Sequence, residues 1–123
     1  MDVLLDTSFI ISCIRDNIDF ASQLEEKGFT IAVPKEVVEE LKDLKKEGRE
    51  SHGDRVAINL ALDLIASKKF KKVTLSNRKV DDGLIQKGKD GIYIATLDNA
   101  IKRQIPNKVV IFRAQKAVGI ERD

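Results

Sequence analysis

The chain has 123 residues, 42% of them hydrophobic and 34% charged, with a net charge of +2. That is one globular domain's worth, able to bury roughly two-thirds of its unfolded surface, and it excludes a disordered chain. No apolar run approaches the ~18 residues of a membrane span, and Met1 to Asp6 lacks the basic start of a signal peptide, so the expected location is the cytoplasm with no membrane partner.

Val3-Leu4-Leu5, an apolar run bounded by acids, predicts a buried first strand. Thr7 and Ser8 can cap a helix over Phe9 to Ile14, and a second helix over Ile18 to Lys27 should stop at Gly28. Thr30 to Val33 is the second strand. Pro34 opens a helix whose apolar face is Val37, Val38, Leu41 and Leu44, ending near Gly48. After a polar loop, Asp54 can cap a helix carrying Val56, Ala57, Leu60, Ala61, Leu64 and Ile65. Val73 to Leu75 is strand three, and a short helix should start at Asp81 or Asp82. Ile92 to Ala95 is strand four, Asn99 to Gln104 a helix, and Lys108 to Phe112 strand five.

Strands alternating with helices predict an α/β fold of three α/β/α layers around a five-stranded parallel sheet, in one domain spanning residues 1–123. In open sheets of this kind, ligands sit beyond the carboxyl ends of the strands. The residues just after each strand are therefore the first candidates for function.

Most other polar features carry no function by themselves. Cys13 is the one cysteine and sits among Ile10, Ile11 and Ile14, as a small buried hydrophobe would. His52, the one histidine, reads as a surface loop residue without a role, and a two-histidine nuclease is excluded by count. Basic residues gather in three groups: Lys42, Lys45, Lys46 and Arg49; Lys68, Lys69, Lys71 and Lys72; and Lys102, Arg103, Lys108 and Arg113. They permit a phosphate-backbone partner without demonstrating one.

The acids are more specific. Asp6 follows the first strand directly, and Asp98 follows the fourth after Thr96 and Leu97. Asp81 and Asp82 open the helix before strand four. On the helix after Pro34, Glu40 falls about 95° from the centre of the apolar face and Glu39 about 165°, so Glu40 is the acid that can reach the sheet edge. Taken singly, Asp6, Asp82 and Asp98 each stand where a helix N-cap belongs, and Glu40 reads as a solvated helix residue. If strands one and four are neighbours, the acids converge and repel, and a hard divalent cation such as Mg²⁺ or Mn²⁺ would compensate.

These segments resemble the PIN-domain family of metal-dependent ribonucleases. Val3-Leu4-Leu5-Asp6-Thr7-Ser8 is similar to its opening, in which a strand delivers an acid into Asp-Thr-Asn/Ser. Val33-Pro34-Lys35-Glu36-Val37-Val38-Glu39-Glu40-Leu41 resembles the second motif, placing its acid on Glu40. Val80-Asp81-Asp82-Gly83-Leu84-Ile85 resembles the third, placing it on Asp82, and Ile94-Ala95-Thr96-Leu97-Asp98 the fourth, placing it on Asp98. The motifs run in order along nearly the whole chain.

The resemblance implies a sheet order of 3-2-1-4-5, which sets Asp6 beside Asp98. It implies catalytic and metal-holding roles for Asp6, Glu40, Asp82 and Asp98, with Ser8 or Thr96 orienting a water or a carboxylate. Some members carry a further acid after the fourth motif, where this chain has Asn99 and Ala100, and Asp81 stands as the substitute. The segment from Ala95 to Ile105 and the Asp81-Asp82 pair resemble most the branch that trims precursor ribosomal RNA in archaea and eukaryotes. With no cysteine cluster and a last residue at Asp123, added RNA-binding modules are not expected.

The implied reaction is hydrolysis of RNA phosphodiester bonds, most simply as an endonuclease, by water activated on Mg²⁺ or Mn²⁺. Alternatives within the family are the toxin of a toxin–antitoxin pair, with an antitoxin as partner, and a non-catalytic RNA-binding scaffold working with ribosome-assembly proteins. Homodimers are common among such relatives. A response-regulator receiver is disfavoured because Asp6 is unpaired and Arg113-Ala114 follow the last strand. Dinucleotide binding is disfavoured by the lack of a Gly-rich fingerprint.

Overall fold

The computed structural model describes residues 1–68 and 70–122; Lys69 of the second basic group lies outside them. The elements are β1 (Asp2–Leu5), α1 (Thr7–Arg15), α2 (Phe20–Glu26), β2 (Thr30–Pro34), α3 (Lys35–Glu47), α4 (His52–Ser67) and β3 (Lys71–Val73). There follow α5 (Val80–Lys89), β4 (Tyr93–Ala95), α6 (Asn99–Lys102), β5 (Asn107–Phe112), a 3₁₀ turn (Arg113–Gln115) and β6 (Ala117–Arg122).

The sheet runs β3-β2-β1-β4-β5-β6. Its first five strands are parallel and in the expected order, with Leu4 opposite Ala32 on one side and Ile94 on the other. Alternation along the strands separates two cores. Val3, Leu5, Ile31, Val33, Tyr93 and Ala95 face a large cluster with α1 to α4, including Phe9, Leu24, Leu41 and Ile58. Leu4, Ala32 and Ile94 face a smaller cluster with Leu84 of α5 and Ile101 and Ile105 around α6. These are the three predicted layers. No helix among the described residues is long and apolar enough to cross a membrane.

The sixth strand is an addition to the expected sheet. It pairs antiparallel with β5, from Phe112 opposite Ala117 to Asn107 opposite Arg122. The hairpin turns through Lys116 at φ 48° without the Asn-Gly or Asp-Gly pair that signals such a turn. Gly119 lets the Phe112 ring lie against the backbone, where any Cβ would collide with it.

Several caps differ from expectation. Asp6 itself caps α1 through Thr7 N at 2.8 Å, so Thr7 begins the helix. Ser51, not Asp54, caps α4, accepting from Asp54 N at 3.2 Å, and His52 is thereby an exposed helical residue instead of a loop one. Strand β3 ends two residues before the expected Leu75 because Glu36 takes the Leu75 N–H at 3.1 Å. α5 begins at Val80 after Lys79, so Asp81 and Asp82 lie inside its first turn, not at its cap.

Candidate metal centre

β1 and β4 lie side by side, and their ends bring the first and last acids together. The Asp6 N–H continues the pairing by donating to the Ala95 carbonyl at 2.9 Å. The Asp6 side chain is buried, 7% exposed. Its Oδ1 accepts from Thr7 N at 2.8 Å and its Oδ2 from the Thr96 hydroxyl at 2.7 Å. That hydroxyl in turn accepts from Asp98 N at 3.1 Å, so Thr96, fully buried, ties the two acids to one another. Asp98 caps α6 through Oδ1 alone, from Ala100 N at 2.8 Å and Ile101 N at 3.4 Å. The cap reading and the site reading of Asp6 and Asp98 are therefore compatible.

Burial raises the Asp6 carboxyl above its ordinary range; the bonds from Thr96 and Thr7 offset part of this, and the charges of Asp81 and Asp98 add to it. Glu40 is raised as well, by partial burial first and then by the charges of Asp6, Asp81 and Asp43, with the Thr7 hydroxyl opposing. That hydroxyl is buried, and among the described residues its Oγ1 makes no hydrogen bond of ordinary geometry. Glu40 thus looks onto Asp6 from α3.

On α5 the same geometric argument separates the adjacent acids. The buried residues Gly83, Leu84 and Gly88 define the inward face. At about 100° per residue, Asp81 falls about 70° from its centre and Asp82 about 170°. Asp81 is also the α5 acid whose charge raises both Asp6 and Glu40. α5 lies close because two glycines permit it: a Cβ on Gly83 would stand 2.7 Å from Leu75 Cβ, and one on Gly88 would collide with Ile105.

Among the described residues, no three His, Cys, Asp or Glu side chains are gathered closely enough to hold an ion. The donor chemistry nevertheless fits a hard divalent cation. Asp6 and Glu40 are carboxylates whose ionisation is opposed by burial and by neighbouring acids, beside the buried Thr7 hydroxyl. Softer donors are absent from this edge. Cys13 is buried in the core, its thiol pushed up to about 12 mainly by burial, and His52 is exposed on α4.

Three further residues shape the edge and leave no local sign in the sequence. Burial alone would raise the Glu36 carboxyl, but bonds from the Leu75 N–H, its own N–H, the Thr74 hydroxyl and the Ser76 N–H hold it below its ordinary value. Glu36 thereby fastens the loop before α5 to the start of α3, with Thr74 Oγ1 at 3.0 Å. Arg15 pairs with Asp54 at 2.9 Å, and Arg113 pairs with Asp16 and donates to Ser12 Oγ at 2.9 Å. Ser8 is exposed and lies in the wall of the pocket these arginines share.

The fold and its edge define an α/β protein with a strand-end carboxylate site. The chain belongs to the PIN-like domain family, whose model matches residues 3–115. A solved structure of the PIN domain endonuclease Utp24 is similar, with a TM-score of 0.76 at 21% identity, covering 99% of this chain and 92% of that one. VapBC2 from Rickettsia felis, solved bound to a DNA fragment from its promoter, contains a chain similar at a TM-score of 0.54 and 16% identity, covering 85% and 93%. At such identities the likeness concerns the fold. No curated protein matches the sequence significantly.

Proposed function

We propose that this protein is a metal-dependent ribonuclease that hydrolyses RNA phosphodiester bonds at the edge formed by Asp6, Glu40, Asp81 and Asp98. The observation that carries the reading is the buried, raised Asp6 carboxyl flanked by further acids in a PIN-like domain. A buried carboxylate beside further negative charges is costly unless a cation compensates, which is why Asp6 with its acidic neighbours suits metal binding better than structure alone. A bound Mg²⁺ or Mn²⁺ would supply an acidified water and neutralise charge on the phosphate.

The chain's own residues do the rest. Thr96 holds Asp6 and the Asp98 backbone in fixed relation, so both carboxylates are oriented before an ion arrives. Helix phase, with Asp81 nearer than Asp82 to the buried face of α5, supports Asp81 over the Asp82 that the motif indicates. Lys102 and Arg103, just beyond Asp98, line a small pocket with Asn99 and offer charge to an RNA backbone. Lys108 of that basic group is buried in β5, and Arg113 is engaged with Asp16, so the group is not one continuous face.

The likeness to the PIN domain endonuclease Utp24 supports trying internal cleavage first, and the resemblance of Ala95 to Ile105 to the precursor-rRNA-trimming branch makes that RNA the substrate to try first. A toxin role with an antitoxin partner is the second reading, supported by the weaker likeness to VapBC2. The test is cleavage of a structured ribosomal-RNA fragment and a single-stranded RNA with Mn²⁺, Mg²⁺ or EDTA, for wild type, Asp6→Asn and Asp98→Asn. Cutting that needs the metal and is lost in both variants supports the reading. Equal cutting by all three proteins, or RNA binding without any cutting, contradicts it.

A further inference from the structure

Beside the acid edge lies a pocket of about 490 Å³, lined by Ser8, Ile11, Ser12, Arg15, Asp16, Asp54, Leu97 and Arg113. That volume is within the ~300–1,000 Å³ of small-ligand sites. It opens next to the site by sequence as well as in space: Ser8 is two residues past Asp6, and Leu97 stands between Thr96 and Asp98. Its walls come from α1, the start of α4, the β4–α6 connection and the turn after β5, so only the complete fold assembles it.

The lining has a distinctive balance. Two guanidinium groups and two carboxylates leave it without net charge, and each arginine is already paired with one of the acids. An incoming phosphate would have to displace a carboxylate, so the pocket is poorly suited to an anion. What remains is an apolar pair, Ile11 and Leu97, under a rim of donors and acceptors: Arg113, Arg15, Asp16, Asp54 and the hydroxyls of Ser8 and Ser12. A flat, neutral solute with an apolar face and hydrogen-bonding edges matches that lining. Nucleobases splayed from single-stranded RNA are recognised in this way, stacked on apolar or guanidinium surfaces and bonded along their edges.

We propose that this pocket receives one unpaired RNA base adjoining the scissile phosphate and thereby sets the sequence preference of cleavage. The inference rests on the ribonuclease reading above and adds to it the chemistry that selects the substrate. Arg113 and Asp16 are the specificity-determining pair, one donating and one accepting along the base edge, while the acid edge acts on the backbone.

The test uses fluorescent single-stranded tracts of A, C, G and U, with both Mn²⁺-dependent cleavage and binding read for wild type, Arg113→Ala and Asp16→Asn. Melting curves check that each variant is folded. Wild type should favour one base over the worst by roughly 10-fold or more, the discrimination one good edge contact gives. Arg113→Ala should level the tracts. Asp16→Asn, which keeps the shape but converts an acceptor to a mixed group, should change which base is preferred. Wild type without a preference in either assay, or folded variants that keep the wild-type preference, overturns the pocket. Wild type that cuts nothing yet binds with a preference erased by Arg113→Ala overturns only the ribonuclease reading.

Discussion

α3 and α5 stand on opposite faces of the sheet, and each carries two adjacent acids near the same edge. On α3 the pair is Glu39 and Glu40, and motif position and helix phase agree on Glu40, whose carboxyl is raised by Asp6 across the gap. On α5 the pair is Asp81 and Asp82, both exposed, and the two criteria part: the motif indicates Asp82, while Asp81 lies nearer in phase to the buried face of Gly83, Leu84 and Gly88. The contrast teaches that an acid's distance from a motif leucine is a proxy for helix phase. The two motifs differ in that spacing: Glu40 directly precedes Leu41, whereas Asp82 stands two residues before Leu84, about 200° away around the helix.

The comparison can be broken or sharpened by substitution. The largest effect is expected at Asp6, which both helices face. Asp6→Asn should reduce metal-dependent cleavage by more than the roughly 10–100-fold typical of losing an outer-shell partner. It should not lower the melting temperature in EDTA, since it removes a buried like charge; a large loss of stability would mark Asp6 as structural. Gly88→Ala comes next and acts on α5 alone. Its Cβ collides with Ile105, and overpacking of this kind costs about 1–3 kcal/mol, measurable by denaturant unfolding. An unchanged stability would mean that α5 is free to shift outward.

Smaller is the difference across α3. Glu40→Gln should weaken Mn²⁺ binding while Glu39→Gln leaves it alone, read by calorimetry; equal effects would dissolve the phase argument on that side. The smallest effect is on acid stability in EDTA. Asp6 and Glu40 have folded pKa values above their unfolded values of 3.8 and 4.5, so their ionisation opposes folding, and the penalty is relieved as pH falls through the raised values toward those. Glu36 has the opposite sign: its contribution is complete above 4.5 and is lost as pH falls through its lowered folded value. Melting curves across that range should show less acid destabilisation in wild type than in Glu40→Gln.

Legibility in the sequence followed how local each signal was. Continuous apolar runs disclosed the strands β1, β2, β4 and β5, because their side chains meet a core on each face. Caps and strand limits set by distant partners were hidden. Leu75 reads as strand until Glu36, 39 residues away, takes its N–H. β6 was missed because its turn uses a 3₁₀ turn and Lys116 at positive φ, with no glycine or asparagine pair to announce it. At the site, Asp6 and Asp98 were visible from their places after β1 and β4, whereas the Thr96 link needs the parallel pairing of those strands. The pocket of Arg15 and Arg113 is closed by the pair of Arg113 with Asp16, 97 positions apart, and has no local signature at all.

The most direct test of the account is calorimetric titration of Mn²⁺ into Asp81→Asn and Asp82→Asn beside wild type, at neutral pH and without substrate. The account predicts binding weakened on the order of 10-fold or more in Asp81→Asn and near wild type in Asp82→Asn. The reverse order, with Asp82→Asn losing the ion and Asp81→Asn keeping it, would contradict it.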